Sequence, residues 1–283
     1  GIIAEAHLEA THNEGWRLAA EENFLGALLI HEDWHDWYET EGYGGSVVAY
    51  PFTWLKLGAQ YLVEEHRLMP TTVTWSMFGR DKTFRSGYAI TEGKDETIAY
   101  HLQVGDDIGL FHRGFKATFG GAYTATMPKS DFSYTRQEIN AGIFLNLHRR
   151  LGIRATAKTG ATLDTGNGES PSYGRQHIVP LGGIGSIGGY GYKDSFGSHF
   201  AMLNVDFSLM DRSGDVISLL WQYGAAWDAS YSLFTGNYTS DLQAGARQSI
   251  GLRFGDESTR FEIFRTLTGG TPRYAFYFRI MDM

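Results

Sequence analysis

The sequence has no cysteine, little proline and no long hydrophobic run, and each shortage excludes a class of protein. Without cysteine there is no disulfide framework and no thiolate metal site. A transmembrane helix needs about 20 consecutive apolar residues, whereas the longest apolar run here, residues 24–30, is interrupted by Gly26. The net charge of −8 is the opposite of what a general nucleic-acid binder carries, so we expect no nucleic-acid partner. Residues 1–5 do not form the basic and apolar regions of a signal peptide, so we expect an exported chain that starts here to be mature or a fragment.

Aromatic residues and glycine are abundant, and apolar residues alternate with polar ones from end to end. Aromatic side chains make up 14% of the 283 residues, and there are 36 glycines against 6 prolines. A period of two predicts strands with one apolar and one polar face. The pattern is clear in residues 273–280, where the apolar set is Tyr274, Phe276, Phe278 and Ile280 and the other set is Arg273, Ala275, Tyr277 and Arg279.

A soluble β-sandwich would also alternate, but three features favour a membrane barrel. The alternating runs are about 10 residues long, which is the spanning length of a tilted strand, whereas soluble strands average about 5 or 6 residues. Short connections, such as residues 146–150 and 210–215, alternate with long ones, such as 67–94 and 163–198, as in bacterial outer-membrane barrels. Every polar face also carries charge, which a dry sandwich core would not tolerate unpaired.

The sequence therefore predicts an all-β fold, an antiparallel transmembrane β-barrel that forms a single domain over residues 1–283. We expect about twelve strands, near residues 2–11, 43–51, 54–64, 95–105, 112–124, 134–147, 150–162, 198–209, 215–227, 241–254, 258–267 and 272–281.

The segment His31-Glu32-Asp33-Trp34-His35 matches the metalloprotease pattern H-E-x-x-H. On a helix this spacing would place two histidines on one face to bind zinc, with the glutamate as general base. A zinc site needs a third ligand, and none is evident, so we favour a short amphipathic loop segment over residues 22–38. A serine hydrolase is the other enzyme hypothesis, but no G-x-S-x-G elbow occurs. We expect no enzyme, no bound metal and no cofactor.

Residues 181–192 are the most informative segment, because six of them are glycine and a strand over residues 200–209 follows. Composition alone would suggest a flexible surface loop. The order of features instead resembles the sixth-loop region of the BamA-like superfamily, the outer-membrane assembly and two-partner-secretion barrels. In that family a loop element reading G-G … hydrophobic-R-G-F/Y precedes a strand reading roughly N-x-E-x-R-F and four further strands. Here residues 203–207 take the place of the strand, and the loop positions are Ser186, Ile187, Gly188, Gly189 and Tyr190. Residues 22–38 are similar to the acidic, aromatic first loop of the bacterial surface-antigen relatives.

Two departures from the family pattern stand out. In the family, the loop arginine pairs inside the barrel with an aspartate of an F-x-D-x-G strand; here these positions are Gly188 and Gln222. Losing both partners is nearly neutral, whereas losing one would leave a buried charge unpaired, so the double change agrees with the alignment. We expect residues 182–192 to fold into the lumen, since glycine permits close backbone approach. Typical members also have about sixteen strands and N-terminal POTRA domains, so the alternative fold is part of a 16-stranded barrel.

The resemblance implies a protein of the bacterial outer membrane that inserts proteins into that membrane or passes them across it. The first and last strands would form a weak lateral seam, with Arg273, Tyr277 and Arg279 on the last strand, where a client strand pairs by β-augmentation. The implied partners are outer-membrane lipid, client outer-membrane proteins and periplasmic partner domains. The competing hypothesis is a closed barrel acting as a passive pore, or as an anchor for a partner or a missing N-terminal domain. Its lumen would set Arg154, Lys158, Arg247, Arg253, Arg273 and Arg279 against Glu138, Asp206 and Glu262.

Overall fold

The computed structural model describes residues 1–12, 15–69, 75–78, 90–105, 114–124, 127–166, 172–210, 216–236, 238–256, 259–269 and 273–280. Its strands are β1 Ile2–Thr11, β2 Tyr38–Phe52, β3 Leu55–Leu68, β4 Gly93–Gly105, β5 Gly114–Tyr123, β6 Tyr134–His148, β7 Leu151–Asp164, β8 His199–Met210, β9 Val216–Trp227, β10 Arg247–Gly255, β11 Thr259–Thr266 and β12 Tyr274–Ile280. Helix α1 is Ala20–Ile30, α2 is Tyr238–Ala244, and a 3-10 helix covers Arg175–His177. Parts of the predicted loops and strand ends, including residues 211–215 and 112–113, lie outside the described residues.

All twelve strands form one sheet in sequence order, and every neighbouring pair is antiparallel. The prediction of an all-β antiparallel barrel fold with twelve strands is thereby confirmed, and no further strands are present in the described part of the chain. Short and long connections alternate, so the two ends of the sheet differ. Ile2 and Ile280 both lie at the end with the short connections.

The side chains divide between two faces as the alternation predicts. In β12, Phe276 is 73% exposed on the outer face, while Arg279 on the inner face is only 4% exposed. In β9, Ile217 and Leu219 are exposed, whereas Ser218 between them is fully buried. An apolar outer face and a charged inner face are what a membrane barrel requires.

The sheet curves around the long connection between β7 and β8. His177 in this connection lies 3.1 Å from Asp95 of β4, and Tyr190 further along it hydrogen-bonds to the carbonyl of Gln248 in β10. A single segment that touches strands so far apart in the sheet requires the strands to surround it. The space enclosed on this inner face is the lumen. Among the described residues β1 and β12 do not pair, so the barrel is not closed.

The main buried cluster lies inside the lumen. It joins Val179, Leu181 and Ile187 of the long connection to the inner face of β8 and β9, where it meets Phe200, Met202 and Ala226. Burying apolar area in this way contributes about 25 cal/mol per Å². The long connection therefore serves the barrel as its hydrophobic core.

Two helices correct the expectations from the sequence. Residues 20–30 were expected to belong in part to a loop but form α1, whose Glu22 and Asn23 are buried while Phe24 is exposed. The strand expected over residues 241–254 begins only at Arg247, because α2 occupies the preceding residues. Within the described ranges, neither helix is long and apolar enough to cross a membrane.

Candidate functional site

The lumen loop, residues 182–192, crosses the inner face of the last five strands. Ser186 and Ile187 are fully buried, and the Ser186 hydroxyl accepts a hydrogen bond from the backbone of Gly182. Gly185 has a φ of 72°, and a Cβ there would come within 2.1 Å of the Arg17 carbonyl oxygen. A side chain at this position would thus be strained and would clash. Glycine is needed here because two backbone segments meet.

Gly188 and Gln222, the two positions where the family pair is missing, are in direct contact. The Gly188 backbone N–H donates to Gln222 Oε1 at 2.7 Å. Ser249 Oγ donates to the same oxygen at 3.1 Å. A Cβ at Gly188 would lie 2.3 Å from the ring of Phe264, which is 3% exposed. The aromatic ring therefore fills the space that a longer side chain would need, and a neutral hydrogen bond joins the loop to the strand.

The next two loop residues contact β10, β12 and the connection that follows β11. Gly189 N donates to Tyr277 Oη at 3.3 Å. The Tyr190 hydroxyl lies 2.9 Å from the Gln248 carbonyl and 2.8 Å from the Thr268 carbonyl. Tyr190 also packs against the buried cluster. These contacts place residues 188–190 against β9 to β12.

An ion network lies below the lumen loop on the inner face. Arg253 of β10 contacts Asp206 at 2.8 Å and Glu262 at 2.9 Å, and Arg260 lies 2.9 Å from Glu262. A separate pair joins Lys158 to Glu138 at 3.1 Å. The predicted charged lumen thus contains opposite charges that are paired within a strand, between neighbouring strands or across one intervening strand. A lumen cavity of about 300 Å³ borders the network and the loop.

The network reaches the edge of the sheet through Arg279 of β12. Arg279 Nε donates to Glu22 of α1, and its Nη2 donates to the Arg17 carbonyl at 2.7 Å. Both charged side chains of the Glu22–Arg279 pair are at most 5% exposed. Tyr277 faces the lumen loop, whereas Arg273 lies exposed just before β12. Of the three predicted seam residues, Arg279 and Tyr277 are thus engaged inside the barrel.

The hydrogen-bonding phase shows which groups of β12 are free for pairing. Antiparallel residues alternate between those that bond to the neighbouring strand and those that point away from it. Thr266 N donates to the Arg273 carbonyl at 3.0 Å, so the odd-numbered residues of β12 face β11. The even-numbered residues present their N–H and C=O groups to the free edge. There Ile280 N donates to Glu22 Oε1 at 3.1 Å, so α1 occupies one position of the seam.

The same reasoning identifies the free edge of β1. Gly1 and Val48 exchange two backbone hydrogen bonds, at 2.7 and 2.9 Å. The odd-numbered residues therefore face β2, and the free edge carries the groups of Ile2, Ala4, Ala6, Leu8 and Ala10. An unpaired edge of this kind is a template for another strand.

The H-E-x-x-H segment does not adopt the helical geometry of a zinc protease. Helix α1 ends at Ile30, and His31 has a φ of 63°, in the left-handed region. The His31 ring contacts Ser76 Oγ at 2.9 Å, whereas the His35 ring lies 3.3 Å from the Leu18 carbonyl. Burial, together with charge repulsion from the neighbouring His12, lowers the pKa of His35 to about 4. His35 is therefore neutral at pH 7.

A second histidine cluster, missed from the sequence, joins His66, Asp95 and His177, each buried and with one ligand atom within 4.8 Å of the others. Two imidazoles and a carboxylate suit a zinc-like ion. However, the Gln176 amide, oriented by two hydrogen bonds to the Thr91 backbone, donates to His66 Nδ1 at 2.8 Å. This places the His66 proton on Nε2, so that nitrogen is not available to a metal. We interpret the cluster as a hydrogen-bond network that attaches the 3-10 helix to β3 and β4.

Sequence reasoning missed two side chains of the site, Glu22 and Phe264. Phe264 had a signal, because it is an aromatic residue between the inner-face positions of Glu262 and Thr266. Glu22 had none, since its partner Arg279 is 257 residues away in sequence.

Comparisons with known proteins give structural matches alone. No protein-family model matches the sequence, and no curated protein matches it. A crystal structure of BamA from Haemophilus ducreyi lacking POTRA domains 1–3 is similar with a TM-score of 0.65 and 15% identity, covering 99% of this chain and 58% of that one. CdiB from Acinetobacter baumannii is similar with a TM-score of 0.52 and 10% identity, covering 87% of this chain and 42% of that one. The chain thus spans a little over half the length of the BamA structure, and it has the fold of the BamA-like barrels, as the resemblance in its sequence predicted.

Proposed function

We propose that this chain is a bacterial outer-membrane barrel that assists the insertion of proteins into that membrane or their passage across it. The observation that carries the proposal is the pair of free edges at β1 and β12. Free edges are unusual in a membrane barrel, because unpaired N–H and C=O groups in lipid cost several kcal/mol each. A client strand that pairs with such an edge satisfies those groups.

The work done at the seam would be physical. An incoming strand would add to the sheet edge through main-chain hydrogen bonds. The backbone N–H and C=O groups of the client would thereby exchange hydrogen bonds to water for hydrogen bonds to the edge strand. The proposal requires no cofactor and no chemical step. Its partners are outer-membrane lipid, client proteins and periplasmic domains.

The two edge strands of the seam differ in the contacts that hold them in place. On one side, the lumen loop contacts β9 to β12, and the ion network joins β8 to β12. On the other side, β1 is paired only with β2, and eight of its ten residues are exposed. This asymmetry favours β1 as the strand that moves and receives a client.

The competing function is a closed passive pore or a membrane anchor. The charged inner face, with Arg253 and Lys158 beside their acidic partners, supports it. A pore would conduct ions with the seam paired, whereas an insertase would need the seam to open.

A cross-link across the seam tests the proposal. The chain has no cysteine, so Ala4→Cys with Phe278→Cys gives one pair for a short bismaleimide. The matched control is Leu219→Cys with Leu252→Cys, an opposed pair on the joined strands β9 and β10. In liposomes, the seam cross-link should abolish the acceleration of folding of an outer-membrane barrel client, and the control cross-link should not. Undiminished client folding by the locked seam would refute the proposal, and ion conductance in the same state would favour the pore.

A further inference from the structure

The free edge of β1 has an unusual distribution of side chains. On its inner face it carries Glu5 and Glu9, both exposed, on either side of His7. On its outer face three of the five residues are alanine. A strand added here would therefore lie opposite an acidic inner row and a shallow outer row.

The rest of the sheet indicates what such rows accept. On the inner face, opposite charges face each other across neighbouring strands: Arg154 is opposite Asp206 and Arg253 is opposite Glu262. On the outer face, Tyr100 covers Gly121, its direct partner. Directly opposed pairs on one face lie about 4.5–5.5 Å apart between Cβ atoms, so charge and size are matched pair by pair.

Resting on the proposed function, we propose that the β1 edge binds extended segments with lysine or arginine on the lumen side and large apolar residues on the lipid side. The basic residues would lie opposite Glu5 and Glu9. The large residues would cover Ala4, Ala6 and Ala10. The client class is thus set by a charge pattern as well as by the apolar alternation that any membrane strand has.

The chain itself contains a segment of this chemistry, which is its last strand. β12 carries Phe276 and Phe278 on the outer face and Arg279 on the inner face. Arg279 is engaged by Glu22, however, and the same carboxylate holds the edge N–H of Ile280. β12 is therefore a competitor of a client for β1, and α1 holds its last two residues, Arg279 and Ile280.

Peptide binding to the full chain in liposomes tests this inference. Fluorescent extended peptides alternate phenylalanine with lysine in one series and phenylalanine with glutamate in the other. We expect the lysine series to bind about tenfold more tightly, with a preference that weakens in high salt. The variant Glu5→Lys with Glu9→Lys should reverse the preference. The matched control Glu41→Lys with Glu65→Lys makes the same change in net charge on the outer face and should leave the preference unchanged.

Occupancy of the edge is measured in the Ala4→Cys, Phe278→Cys variant. The lysine peptide should protect the pair from bismaleimide bridging. Complete bridging with or without peptide would mean that β12 already occupies β1, and this would overturn the inference. Equal binding of both peptide series would also overturn it and leave the proposed function intact. Binding of neither series, together with undiminished client folding by the cross-linked barrel, would refute the proposed function itself.

Discussion

Removal of the Glu22 carboxylate should release the edge of β12. Glu22 contacts the Arg279 guanidinium and the Ile280 backbone N–H, and both side chains of the ion pair are almost fully buried. Truncating one partner of a buried pair costs about 3–5 kcal/mol, because the remaining charge stays buried. Arg279 keeps the Arg17 carbonyl at 2.7 Å and Glu262 at 4.0 Å. We therefore expect Glu22→Ala to cost about 3 kcal/mol, at the lower end of that range.

Hydrogen–deuterium exchange at the Ile280 amide is the most direct assay, because Glu22 is the acceptor of that N–H. A loss of about 3 kcal/mol corresponds to exchange roughly a hundredfold faster. Glu22→Gln, which keeps an acceptor but no charge, should give an intermediate rate. Glu21→Ala makes the same substitution at the exposed neighbouring position of α1 and serves as the control. Equal exchange in Glu22→Ala and Glu21→Ala would refute the assignment of Glu22 to the seam.

Three further perturbations test the loop contact, the membrane face and the buried histidine. Gln222→Leu should lower the unfolding free energy by about 1–3 kcal/mol, because it leaves the Gly188 N–H without its acceptor. Gln222→Glu keeps an acceptor and should lower it less, so equal unfolding free energies of the two variants would contradict the prediction. Leu219→Arg on the outer face should lower the free energy of folding into lipid by about 2–4 kcal/mol, whereas Thr156→Arg in the lumen should lower it much less. Equal losses of the two variants in folding titrations would contradict the assignment of the faces. The pKa of His35 is near 4 in the folded protein against 6.5 ordinarily, so the unfolded chain binds the proton first. The contribution of His35 to stability should be constant above about pH 7 and be lost between pH 6.5 and 4, by up to about 3 kcal/mol. It is measured as the difference between the pH profiles of the unfolding free energy of the unchanged protein and of His35→Asn, and identical profiles would count against it.

The strands were predictable because their signal is local. Alternation with a period of two and a length near ten residues are both readable without knowledge of the partner strand. Even so, the prediction failed at residues 241–246, where a short apolar and polar alternation belongs largely to α2. A segment this short is compatible with a helix and with a strand, so its pattern does not distinguish them.

Helix α1 was missed for a different reason. Its residues favour a helix, with Ala20, Glu21, Glu22 and Leu25 near its start. The residue types that α1 buries and exposes are the reverse of those in a helix of a water-soluble protein, because Glu22 is buried and Phe24 is 63% exposed. An amphipathic pattern read for a water-soluble protein therefore gives the wrong face. The role of Glu22 depends on a contact with the far end of the chain, which one sequence does not encode locally.

The candidate site was predictable in position but not in chemistry. The order of loop and strands placed residues 186–190 near Gln222, and the structure brings Gly188 and Gln222 into contact. This chain lacks the charged pair of the family. It joins the lumen loop to β9 through the backbone N–H of Gly188, and the ring of Phe264 fills the space beside it. Neither is visible from residue types at the two positions alone.

The placement of the buried cluster has a mechanical consequence. One side of the barrel, from β8 to β12, is braced from within by the lumen loop and the ion network, whereas Ile3 on the inner face of β1 is 57% exposed. Since closely packed interiors resist deformation, β8 to β12 should be stiff, and the first strands should deform more easily. A lateral tension from a thinned or stretched bilayer would then be taken up almost entirely by β1 and its neighbours, so that membrane strain itself would widen the seam.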